Sequence, residues 1–63
     1  MKFKIGSIVK HKTADFKMLI LSFNDENDSY NCRWYSPNTA KNEDGFISTN
    51  FDEFELEHFT KKQ

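Results

Sequence analysis

The chain has 63 residues, a formal charge of -1 and a single cysteine. That length holds one domain at most, and a lone cysteine cannot form an internal disulfide. Cys32, His11 and His58 are too few for a closed zinc site, which takes four ligands. A general nucleic-acid binder usually shows a clear basic excess, and this composition has none.

In chain order, Gly6-Ser7 is the first punctuation. Ser7 to Lys12 then reads as a short strand built on β-branched Ile8 and Val9, with His11 on the face of Val9. Thr13-Ala14-Asp15 turns the chain. From Phe16 to Phe23, Phe16, Met18 and Ile20 alternate with Lys17, Leu19 and Leu21. Both faces are partly apolar, which predicts a central strand. Asn24 to Ser29 is a turn by composition, because Asn, Asp and Ser bond to their own backbone and tolerate left-handed conformations. Lying between two β-runs, it reads as a hairpin.

Tyr30-Asn31-Cys32-Arg33-Trp34-Tyr35 alternates strictly. A period of two marks a half-buried strand, with Tyr30, Cys32 and Trp34 on one face and Arg33 and Tyr35 on the other. Pro37-Asn38 ends it, and Thr39 to Gly45 forms a polar loop. Alternation resumes from Phe46 to Phe51, with Ile47, Thr49 and Phe51 opposite Phe46, Ser48 and Asn50. Asp52-Glu53-Phe54 suits a single helical turn, since acids favour a helix N-terminus. Glu55-Leu56-Glu57 returns as a short last strand. A competing pattern is a helix from Asn50 to Lys62, with Phe51, Phe54, Leu56 and Phe59 near helical spacing and Asn50 with Glu53 as a capping box.

Close-spaced short strands with polar turns predict an all-β fold. At this length the expected form is a small five-stranded, strongly bent SH3-like barrel, with one short helical turn near residues 52–54. It occupies residues 1–59 and is followed by a polar tail over 60–63. Chains this short bury only about 60% of the surface their unfolded state exposes. The core must therefore come from the seven Phe, two Tyr and one Trp, or from a second subunit. Val9, Met18, Ile20, Cys32, Trp34, Phe51 and Leu56 are the expected core.

Several pieces also carry a family resemblance. They are Phe3-x-Ile5-Gly6-Ser7-x-Val9-x-x-Lys12 at the start, Met18 in the second strand, Cys32-Arg33-Trp34-Tyr35 in the third, and Phe51-x-Glu53-x-x-Leu56 at the end. In this order they resemble the YodC-like family of small bacterial proteins over about residues 3 to 56. The chain departs from that pattern at Ser7, where the family tends to have Asp. It departs again at Thr13 to Phe16, which replaces a Gly-rich turn, at His11, and in the long Asn24–Ser29 turn. The resemblance implies a small SH3-like barrel and supplies no activity.

Catalytic chemistry finds little purchase. Cys32 as a nucleophile needs a stabilised thiolate, but its neighbour Arg33 points to the other face of the strand. Its expected place is the core beside Trp34. The acids Asp52, Glu53, Glu55 and Glu57 suit a solvated edge better than a catalytic pair, which needs a cleft that splits the two pKa values. The expectation is therefore a non-enzymatic chain with no metal and no cofactor. Met18 to Leu21 is the longest uninterrupted apolar run, far short of a membrane span. With one unpaired cysteine, the expected compartment is the cytoplasm.

The functional candidates are the outward aromatics and their cation: Arg33, Tyr35 and Phe46. Tyr and Arg are enriched at interface hot spots. They suggest an adaptor or regulatory module that binds a protein partner, including a second copy of itself, with no membrane role. The alternative is a nucleic-acid-binding barrel that stacks bases on Tyr35, with Lys2, Lys4, Lys10, Lys12, Lys17 and Arg33 on one face. Charge is also split along the chain. Residues 1–20 carry five Lys against one Asp; residues 21–63 carry three Lys and one Arg against five Glu and four Asp.

Overall fold

The computed structural model describes residues 2–60. Five strands are present: β1 (Ile8–His11), β2 (Met18–Asn24), β3 (Ser29–Tyr35), β4 (Phe46–Asp52) and β5 (Leu56–His58). A 3-10 turn over Glu53–Glu55 joins β4 to β5. All ladders are antiparallel, and the strand order is β4-β3-β2-β1-β5. The fold is the expected small five-stranded all-β form, compatible with a bent barrel. Its sheet stays open between β4 and β5.

The helix weighed over Asn50 to Lys62 does not form across the described residues. The pairing of Phe51 with Tyr30 and of Leu56 with His11 holds this segment in two strands. Between them the chain tightens by one 3-10 turn, at 53–55 rather than 52–54. Glu55 accepts the Asp52 backbone N–H at 2.9 Å. Glu53 N–H donates to the Asp28 carbonyl, and Lys12 N–H to the Glu55 carbonyl. The tail expected at 60–63 lies, beyond Thr60, outside the described residues.

β2 is the central strand, as its two apolar faces predict. It starts at Met18 rather than Phe16, and Phe16 instead lies exposed with its ring 5.5 Å from Trp34. A bulge between Ile20 and Ser22 breaks strict alternation, so Leu21 and Ser22 are both exposed. Beyond it Phe23 returns to the inner face, 4.7 Å from the Tyr30 ring.

The core consists of Phe3, Val9, Met18, Ile20, Tyr30, Cys32 and Leu56, each at most 1% exposed. Two expected members, Trp34 and Phe51, are only half-buried and pack against its rim. The reason is the open side of the sheet: Ile47, Thr49 and Phe51 of β4 line an edge with no strand beyond it among the described residues. Phe3 and Tyr30 fill the interior instead. The Tyr30 hydroxyl accepts backbone N–H bonds from Lys2 and Phe3 at 2.8 and 2.9 Å and donates to Glu53 at 2.7 Å. This ties the N-terminal segment, β3 and the 3-10 turn together.

Those bonds shift the groups that make them. Burial raises the Tyr30 pKa. The Tyr30 hydroxyl and the Lys2 N–H hold the Glu53 carboxyl below its ordinary range. The Asp52 N–H, then His11, does the same for Glu55. A carboxyl lowered in the folded state stabilises the fold above its unfolded pKa, and that stability is lost as pH falls through the folded value. A raised tyrosine acts oppositely, stabilising below its unfolded value and losing that contribution as pH rises. The melting temperature is therefore expected to fall below about pH 4.3 and again above about pH 10. Glu53→Gln should flatten the acid limb in a pH series of thermal melts.

Candidate functional site

The three residues singled out from parity converge on the outer face of the sheet. β3 and β4 place Tyr35 directly across from Phe46, with ring centroids 5.1 Å apart. The Arg33 guanidinium lies 4.2 Å from the Phe46 ring centroid, in cation–π geometry. Tyr35 is 64% exposed and Phe46 36%. Leu19, paired with Arg33, and Leu21 extend the patch as exposed apolar residues.

The loop between β3 and β4 sets the geometry. Asp44 accepts the Phe46 backbone N–H at 3.0 Å and pairs with Arg33 at 3.6 Å. An exposed pair of this kind contributes little stability, so its effect is to orient the guanidinium. Gly45 is buried with φ +77°, and its carbonyl accepts the Ser36 N–H at 2.7 Å. A Cβ on Gly45 would sit 2.7 Å from Tyr35 Cε1 and 3.3 Å from Pro37 Cβ. Gly45→Ala is expected to cost about 1–2 kcal/mol from the left-handed backbone alone and to displace the Tyr35 ring. Thermal melts and a tyrosine-ring NMR shift would measure both effects.

An open cleft of about 480 Å³ lies beside Phe46, Ile47 and Ser48, bounded by Thr39, Lys41 and Asn42. A smaller one of about 250 Å³ adjoins it, between Arg33, Asp44 and Leu21. Sequence reasoning missed Asp44, Lys41 and the cleft. The Asp44-Gly45 turn signal just before Phe46 was the available clue to Asp44.

The other side chains with chemical potential serve the fold. Cys32 is fully buried, and burial pushes its thiol up to about 11, away from thiolate character. His11 is half-buried, with its ring 5.4 Å from Phe51. Its Nδ1 accepts the Thr13 backbone N–H, leaving Nε2 to face Glu55 at 3.5 Å. His58 lies on β5 with its ring 4.8 Å from Phe3. Glu57 pairs with Lys10 at 3.0 Å. Glu53 and Glu55 are both held ionised, the opposite of a proton donor's raised pKa. Lys10 and Arg33, two of the cations considered for a basic face, are thus each paired with an acid. No group of three or more His, Cys, Asp or Glu among the described residues could hold a metal. No helix among them is long and apolar enough to cross a membrane.

Comparison with family models, with curated proteins and with solved structures finds no match for this chain.

Proposed function

We propose that this chain is a non-enzymatic protein-binding module of the cytoplasm, and that it docks a partner through Arg33, Tyr35 and Phe46. One observation carries the reading. A largely exposed Tyr stands against a Phe capped by an oriented Arg, on a sheet face continued by exposed Leu19 and Leu21. Aromatic and Arg side chains held in place lose little entropy on docking, which suits them to interface anchors. The resemblance to the YodC-like family is compatible with this reading and adds no catalytic role.

The test is affinity capture of tagged protein from native lysate, in nuclease-treated and untreated halves, beside an Arg33→Glu/Tyr35→Ala variant. The reading expects a protein that survives nuclease and is lost, by roughly tenfold or more in recovery, from the variant. Capture that vanishes with nuclease would replace it with nucleic-acid binding.

A further inference from the structure

β3 pairs with one side of β4, and among the described residues no strand pairs with its other side. The backbone groups on that side are open to another strand. Natural edges are usually blunted by shortness, by Lys or Pro, or by a bulge. The opposite edge, β5, is blunted in this way: it has three residues, and its Glu57 is held in an ion pair. β4 is not. It has seven residues, no Lys or Pro, and an unbroken register against β3. It carries no charge from Phe46 to Phe51.

We infer that β4 pairs antiparallel with β4 of a second copy of this chain, about a two-fold axis at Thr49, so that the two sheets become one. Parity, charge and the overlap of all seven residues of β4 select this register. A two-fold axis normal to the sheet joins inner row to inner row only when it passes through a residue rather than between two. With the axis at Thr49, Ile47 of one copy faces Phe51 of the other, covering two half-buried apolar side chains. Ser48 faces Asn50. Asp52, the one charged residue of β4, falls opposite Phe46 of the other copy. There Lys41 borders the open cleft. The 50–52 end of each strand thus lies beside Lys41 at the other copy's cleft. With the axis moved to Ser48, Asp52 would face Asp44, a like-charge pair. A second copy also suits a domain of this size, which has few other sources of stability. The pairing uses the strand edge, so it goes beyond the outer-face reading and does not depend on it.

Sedimentation equilibrium across micromolar to millimolar concentrations tests the inference on four chains: wild type, Thr49→Lys, Thr49→Glu and Arg33→Glu/Tyr35→Ala. Thr49 is exposed, so both charge variants should keep the wild-type circular dichroism and, at concentrations where every chain is monomeric, the wild-type melting temperature. The wild type should dimerise. Each charge variant alone should dimerise roughly tenfold more weakly, because like charges meet at the axis. An equimolar mixture of the two should recover a one-to-one dimer. The Arg33→Glu/Tyr35→Ala chain should still dimerise. A wild type that stays monomeric throughout overturns the inference. So does a dimer indifferent to charge at Thr49, or one lost in the Arg33→Glu/Tyr35→Ala chain but kept in the Thr49 variants.

Discussion

Tyr30→Ala is expected to abolish cooperative folding at room temperature. Removing a fully buried aromatic costs about 3–5 kcal/mol, and a domain of this size has only about 3–9 kcal/mol in total. The cavity is half of the argument; the hydroxyl is the other half. Tyr30→Phe keeps the ring but strips two backbone N–H groups and the Glu53 carboxylate of a shared partner. It should cost about 2 kcal/mol, in the range for hydrogen bonds to a charged group. Because Lys2 N–H also reaches Glu53 at 2.9 Å, Tyr30→Phe and Glu53→Gln should combine to less than the sum of their separate effects. Urea melts of the two single variants and the double variant give the coupling directly. A Tyr30→Phe chain with an unchanged midpoint would remove the N-terminal clamp from the account.

Trp34→Ala should lower stability by about 2–3 kcal/mol, or roughly 10–20 °C in melting temperature. Full burial would predict about 3–5 kcal/mol. The smaller figure follows from the position of Trp34 at the rim, packed between Phe16 at 5.5 Å and Phe51 at 6.1 Å with one side open. Phe16→Ala should then cost less in a Trp34→Ala background than in the wild type. Circular dichroism melts of the set would show additive losses if Trp34 did not pack against Phe16.

Alternation made the strand faces legible before any coordinates. Tyr30, Cys32 and Trp34 do share the inner face, and Arg33 and Tyr35 do lie on the outer one, because a pleated strand has no other choice. Depth of burial was not legible. It depends on where the sheet closes, and no local pattern shows that β4 and β5 do not pair with each other. For the same reason Trp34 and Phe51 were overrated. Phe3, in a segment without strand periodicity, was missed. Leu21 looked like an ordinary strand residue until the bulge at Ile20–Ser22 placed it beside Ser22 on the surface. The convergence of Arg33, Tyr35 and Phe46 could be read from parity. Its orientation by Asp44 could not, since it rests on how the loop from Ser36 to Gly45 folds back.

The most direct test of the binding face is an NMR titration of isotope-labelled chain with the captured protein. The account predicts the largest amide shifts at Arg33, Tyr35 and Phe46, with Leu19 and Leu21 following and the Arg33→Glu/Tyr35→Ala chain unmoved at equal concentrations. Shifts centred instead on a separate cleft at Asn27, Asp28 and Phe54, with Arg33 and Tyr35 silent, would contradict it.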